Sequence, residues 1–273
     1  MQVRAVVSYD GTGYAGYQRQ ADVPTVQETV ETALREVTRE PVTVLAAGRT
    51  DAGVHALGQV IAFDTSWRHS VEDLQRAMNA VLPSDVAVRQ LEEAAPGFHP
   101  RFDAERRWYR YRVYRAPIRS PLARRYSLHV PYDLDVGAME EAAQLLVGEH
   151  DFATFGQPPQ GEVTVRRVFR AHWSRACGSR LSPGSTGDVA QVSCGGGPFD
   201  EGQLGGGFLR FDIEANAFLY RMVRSIVGTL LDVGQHRMDL SAFEESFASC
   251  ERGRAGKTAA PHGLCLIKVT YQA

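Results

Sequence analysis

The chain has 273 residues, 44% hydrophobic and 23% charged, an ordinary globular composition that excludes a disordered, collagen-like or coiled-coil chain. Basic and acidic residues nearly cancel, 30 against 32, so bulk charge does not announce a nucleic-acid protein. No run reaches the roughly 18 apolar residues of a membrane span, an acidic residue ends the stretch MQVRAVVSYD where a signal peptide's apolar core would continue, and Cys177, Cys194, Cys250 and Cys265 form no CxxC pair or metal-ligand spacing. A cytoplasmic protein without disulfides is expected.

Residues 3–9 (VRAVVSY) predict a strand, and the DGTG after them a turn in which Asp10 is turn-forming. From Thr25 to Glu40 the apolar positions Val26, Val30, Ala33, Leu34 and Val37 follow helical spacing. A strand at 42–46, a Gly-rich loop and a strand around Gln59–Phe63 come next. Ser70 and Asp73 form a capping-box start to a helix whose inner face is Val71, Leu74, Ala77, Met78 and Val81, closed by Pro83. Residues 85–91 complete a β-α-β-β-α-β order, the split βαβ of ferredoxin-like folds.

The second half repeats that order. Strands are expected at 107–115, 166–173, 207–215 and 264–271, and helices at 136–147, from Leu219 to Leu231 and near 241–250. The helix from Leu219 has the strongest amphipathic pattern in the chain. Residues 177–207, dense in Gly and Ser, bury too little apolar surface to offset their ordering and are expected as an extended insertion between two strands. The fold class is therefore α+β, with two ferredoxin-like halves, 1–105 and 106–273, around a mainly antiparallel sheet.

Chemistry concentrates in few places. GRTDAGVHA, from Gly48 to Ala56, puts Arg49 and Asp51 two apart, so both project to one side of an extended loop. A carboxylate among guanidinium groups suits a nucleophile or charge stabiliser; a structural Arg–Asp pair fits the same spacing. All but two of the 30 basic residues are arginines, and nine of them lie between Arg101 and Arg125, interleaved with Trp108, Tyr109, Tyr111 and Tyr114. That stretch suggests a local polyanion surface despite the neutral total. Arg224 stands at the margin of an apolar stripe, placed either to turn inward to a carboxylate or to stay a solvated edge charge. GRAGKT (253–258) ends like a phosphate loop but has Glu251 where glycine is required and no helix pattern after it. The histidines show no HExxH or HxxxH spacing, so no metal centre is expected.

GRTDAGVHA also resembles the catalytic loop of the tRNA pseudouridine synthase A family. YDGTGYAGYQRQ (9–20), FHPRFDAERRWYRYRVY (98–114), HDFATF (150–155), FLYRMVRSIVGTLL (218–231) and AGKTAAPHGLCL (255–266) resemble its other motifs, in the family's order and over nearly the whole chain. The resemblance implies a pseudouridine synthase fold and isomerisation of uridine to pseudouridine at positions 38, 39 and 40 of the tRNA anticodon arm, by a homodimer that needs no cofactor or metal. Position by position, it makes Asp51 the nucleophile, Arg49 the residue that fills the vacated base position, Tyr109 the ring that packs on the uracil and Arg224 the partner of the carboxylate; Arg107, before Tyr109 in the RxYxY pattern, is a further expected substrate contact. Tyr17 stands where tryptophan is frequent and Ala260 where a proline is usual. A non-catalytic RNA-binding protein or a nucleoside N-glycosidase remains an alternative from the residues alone.

Overall fold

The computed structural model describes residues 1–158, 161–175 and 207–272. The expected insertion, with Cys177 and Cys194, thus lies outside the described residues, apart from Gly207, which opens a strand. The first half runs β1 (Gln2–Tyr9), α1 (Val26–Thr38), β2 (Leu45–Ala46), β3 (His55–Asp64), α2 (Val71–Val81) and β4 (Val86–Glu93). Its element order is the one the hydrophobic spacing predicts. Thr25, in extended backbone, starts α1 by accepting from the Glu28 N–H, and Arg39, at φ 61°, ends it. Ser70 accepts from the Asp73 N–H at 3.1 Å and donates to its carboxylate at 2.7 Å, which fixes the start of α2.

The strand expected at 42–46 shrinks to two residues, for a visible reason. The Val44 N–H donates to Glu31 Oε1 at 3.1 Å, and its carbonyl accepts from Gln27 Nε2 at 3.2 Å. Side chains of α1 thereby satisfy backbone groups that a ladder would otherwise hold. The following strand is longer than expected and takes in His55 and Ala56, the last two residues of the GRTDAGVHA motif.

The second half contains β5 (Ala104–Arg115), β6 (Leu128–Val130), α3 (Val136–Gln144), β7 (Gly148–Asp151), β8 (Val165–Arg175), β9 (Gly207–Ala215), α4 (Met222–Gly234), α5 (Leu240–Ala248) and β10 (Leu264–Tyr271). The short β6 and β7 carry no distinct periodic signal. All strands form one sheet in the order β4-β1-β3-β10-β5-β9-β8-β7, with β2 on β3 and β6 on β5. In each half the strands of the β-α-β-β-α-β unit lie fourth, first, third, second: β4-β1-β3-β2, then β10-β5-β9-β8. Neighbours run antiparallel except β10 with β3 and β6 with β5. The fold is α+β with a mainly antiparallel sheet, and residues from the five α-helices among the described residues share one apolar core with the buried faces of the strands.

The α4 helix departs from its amphipathic reading. It starts at Met222 rather than Leu219, because Arg221 adopts φ 60° and breaks the turn before it. Apart from Arg224 and Asp232, every residue of α4 is buried. It is a central helix, covered on all sides, with two charged positions.

The two halves meet at a narrow seam. Strand β3 gives one edge to β1 along its length. Its other edge is divided: β2 pairs at Ile61 and Ala62, and β10 pairs only at His55 and Ala56. Between those contacts the stem of the β2–β3 loop bonds to β3, Ala47 to the Val60 carbonyl and Gly48 to Gln59, while β10 stays close at Gly58. Gly58 makes the seam possible, since a Cβ there would overlap the Ile267 carbonyl oxygen. Gly58→Ala is therefore expected to lower the unfolding free energy by about 3 kcal/mol. Gly253→Ala, whose Cβ would meet open space, should stay within about 0.5 kcal/mol of the parent; urea denaturation of the two variants compares them.

Candidate active site

The loop from Ala47 to Val54 is tethered at almost every residue. The Ala47 N–H donates to the Val60 carbonyl at 2.8 Å, and its own carbonyl accepts from Arg107 Nη2 at 3.3 Å. Gln59, fully buried, donates from Nε2 to the Gly48 carbonyl at 2.8 Å. The Thr50 hydroxyl bonds Tyr9 Oη at 2.8 Å, and its carbonyl accepts from the Tyr17 N–H at 3.0 Å. Gly53, at φ +76°, turns the chain, and its N–H donates to the Tyr14 carbonyl at 3.3 Å. Such a loop holds Asp51 on a rigid frame rather than on a mobile tip. Arg49 is the exception: exposed, and without a side-chain hydrogen bond or ion pair among the described residues.

Arg224 reaches Asp51 from α4. Its Nη1 donates to Asp51 Oδ2 at 2.7 Å, with side-chain exposures of 13% and 19%, so the pair is largely withdrawn from water. The arginine is itself positioned. Nε donates to the Ala259 carbonyl at 2.8 Å, and the Ala259 N–H donates to the Arg224 carbonyl at 3.0 Å. The AGKTAAPHG segment therefore braces α4 and aims its guanidinium.

Tyr109 lies on the buried side of β5, with its ring edge-on to Phe218 at 5.1 Å. Burial pushes its hydroxyl well above the ordinary value of 10, so it carries its proton at neutral pH. Sequence reasoning assigned Phe218 no role, although it opens the FLYRMVR motif; only the fold places it against Tyr109.

Arg107 is spent on the protein. It donates from Nη1 to the carbonyls of Ala104 and Asn216, and from Nη2 to those of Arg101 and Ala47. It ties the stem of the Asp51 loop to β5 and to the turn that leads into Phe218. Arg110 pairs with Asp212 through Nε at 2.9 Å and Nη2 at 3.1 Å. Arg106 faces the Phe169 ring at 4.3 Å, and Arg115 pairs with Asp133. Much of the arginine-rich strand thus serves the fold, which narrows the polyanion surface expected of it.

A buried histidine, which spacing did not single out, joins these segments. His55 Nδ1 accepts from the Gly11 N–H at 3.0 Å, so Nε2 carries the proton and donates to the carbonyls of Arg125 at 2.9 Å and His262 at 3.2 Å. Asp10 caps the short turn after β1 through the Thr12 N–H, as its turn reading expects, and its Oδ1 lies 3.1 Å from His55 Nδ1. Among the described residues no three His, Cys, Asp or Glu side chains are grouped to hold a metal ion, and no helix is long and apolar enough to cross a membrane.

Residues 5–103 and 142–272 match the tRNA pseudouridine synthase family. The chain belongs to that family. A protein of Moorella thermoacetica named tRNA pseudouridine synthase A is 42% identical over 274 residues, spanning 98% of this chain and 99% of that protein. Proteins of the same name from Brevibacillus brevis and Geobacter sulfurreducens are each 40% identical, over 99% and 98% of this chain and 99% of their own length. The unmatched residues 104–141 include β5 and the segment after it.

The environment of His55 predicts a pH dependence. Burial lowers its pKa below the ordinary 6.5, against Asp10, which pulls it upward. Burial, then the neighbouring His55, lowers His262 in the same way. A histidine held neutral contributes stability that is fully present above 6.5 and is lost as pH falls below that value. The melting temperature should fall as pH is lowered from about 7 to about 5. His55→Gln should show a shallower fall, and an identical slope in both proteins would contradict the assignment.

Proposed function

We infer that the protein is an isomerase that converts uridine to pseudouridine in tRNA. The observation that carries this reading is the Asp51–Arg224 pair on its tethered loop, beside the Tyr109–Phe218 rings. The reaction breaks the N1–C1′ bond, turns the uracil over and joins C5 to C1′; the C5 proton is released and N1 gains one. Asp51 is the group suited to act at C1′, either by adding to the sugar or by assisting elimination. Arg224 fixes the direction of its carboxylate, so that no reorganisation is required when the sugar arrives.

The target base must leave its stack, at a cost of a few kcal/mol, and needs an apolar ring to receive it. Tyr109, held edge-on by Phe218, supplies that ring, and its hydroxyl, kept protonated by burial, can donate a hydrogen bond to the base. Arg49, exposed on an otherwise tethered loop and without a side-chain partner among the described residues, is the group suited to enter the space the base vacates. Arg107 acts as a support for the loop stem. Uridines 38, 39 and 40 of the anticodon arm are the proposed targets, and a homodimer in the cytoplasm the proposed working form, on the strength of the family resemblance. The boundary near residue 105 between the halves belongs to the same reading.

Tritium release tests it. With tRNA carrying 5-tritiated uridine, the wild-type protein should release tritium to water and no free uracil. Asp51→Asn should lower the rate by about 10⁴, some 5.5 kcal/mol of transition-state stabilisation, while tRNA still binds. Free uracil would indicate an N-glycosidase; binding without release would indicate a non-catalytic RNA-binding protein.

A further inference from the structure

The segment between β5 and β6 has a composition and a placement that the site does not explain. Residues 116–131 contain Arg119, Arg124, Arg125 and no acidic residue. All three arginines are exposed and, among the described residues, have no ion pair or side-chain hydrogen bond, unlike Arg107 and Arg110 on the preceding strand. Ile118, 79% exposed, and Leu122 stand among them. The segment is nonetheless fixed. Ala116 and Ala123 pack with Tyr114 in a small cluster, Ser120 Oγ accepts from the Ala123 N–H at 3.3 Å, and Ser127 Oγ donates to the Ala123 carbonyl at 2.9 Å.

It is also tied to the loop that carries Asp51. His55, the first residue of β3 after that loop, donates from Nε2 to the Arg125 carbonyl. The Tyr126 ring lies 5.1 Å from the His55 ring, and its hydroxyl donates to Asp10 Oδ2 at 2.8 Å. Arg124 and Arg125 are therefore held in fixed register with the catalytic loop, although they are more than 70 residues away in sequence. An ordered strap with three guanidinium groups that find no partner among the described residues, and with no acidic residue of its own, is complementary to a polyphosphate backbone.

We propose that residues 117–126 form a docking strap for the sugar–phosphate backbone of the RNA substrate, with Arg119, Arg124 and Arg125 as its phosphate contacts. The proposal rests on the reading of tRNA as substrate. The strap grips backbone rather than bases, so it serves several target positions equally. Ile118 and Leu122 lie along the sugar edge, and the His55 bond sets the distance from the gripped phosphates to Asp51.

The test measures the affinity of the full-length protein for unmodified tRNA at several salt concentrations. Arg124→Gln/Arg125→Gln should bind about ten-fold more weakly, and the slope of log K against log salt should become shallower by one to two units, about one for each lost phosphate contact. Arg119→Gln alone should shallow it by about one unit. Arg68→Gln/Arg89→Gln removes equal charge from exposed positions outside the strap and should leave affinity and slope at wild-type values. Unchanged binding in the strap variants, or equal losses in the remote pair, would overturn the proposal. So would a change in oligomeric state with tRNA affinity kept, which would make the strap a contact between copies. A wild-type protein that binds tRNA through the strap but releases no tritium would refute the isomerase and leave the strap standing.

Discussion

One charge pair organises the molecule. Asp51 and Arg224 are 173 residues apart in sequence and 2.7 Å apart in space, and each is largely withdrawn from water. Neither charge is tolerable there alone, because desolvation of one ion without its partner costs several kcal/mol. The pair therefore requires that the β2–β3 loop and α4 face each other correctly. Several features meet that requirement. Gly58 admits β10 against β3, Ala259 bonds Arg224 through both backbone groups, and a helix buried on nearly all sides lacks the freedom to rotate its arginine away.

The same economy appears around the pair. Arg107, in a strand whose composition suggests RNA contact, holds four carbonyls drawn from both halves. His55 holds the N-terminal turn, the segment after β5 and the PHG segment before β10. These two residues hold the Asp51 loop at its two ends, at Ala47 and at His55. Buried polar groups of this kind lower stability if they lose their partners, and they fix one arrangement when all are satisfied. A rigid loop suits the proposed reaction, in which a flipped base meets a carboxylate already in position.

Much of the fold was legible because local signals agreed with it. The strands expected at 207–215 and 264–271 are β9 and β10 with their observed boundaries, and Ser70 with Asp73 marks the start of α2. Misreadings arose where tertiary partners decide the outcome. Residues 42–44 look like a strand, but Gln27 and Glu31 take up the hydrogen bonds of Val44. The α4 pattern includes Leu219, but the left-handed Arg221 excludes it. In the site, the spacing of Arg49 and Asp51 and the marginal position of Arg224 were visible. That Arg107 and Arg110 are consumed internally was not, because Arg107 bonds only backbone carbonyls, two of them distant in sequence, and the Arg110 partner Asp212 lies on β9. His55 gave no signal, since its partners are mostly backbone groups, which carry no sequence identity.

A double-mutant cycle between Asp51 and Arg224, read as unfolding free energies, tests most directly whether the pair is the organising contact. Arg224→Leu should destabilise the protein by leaving Asp51 without its partner, and adding Asp51→Asn should recover part of that loss, with a coupling on the order of 1 kcal/mol or more. Strictly additive effects, within about 0.3 kcal/mol, would mean that the two side chains do not depend on each other, and the site would have to be built on some other contact.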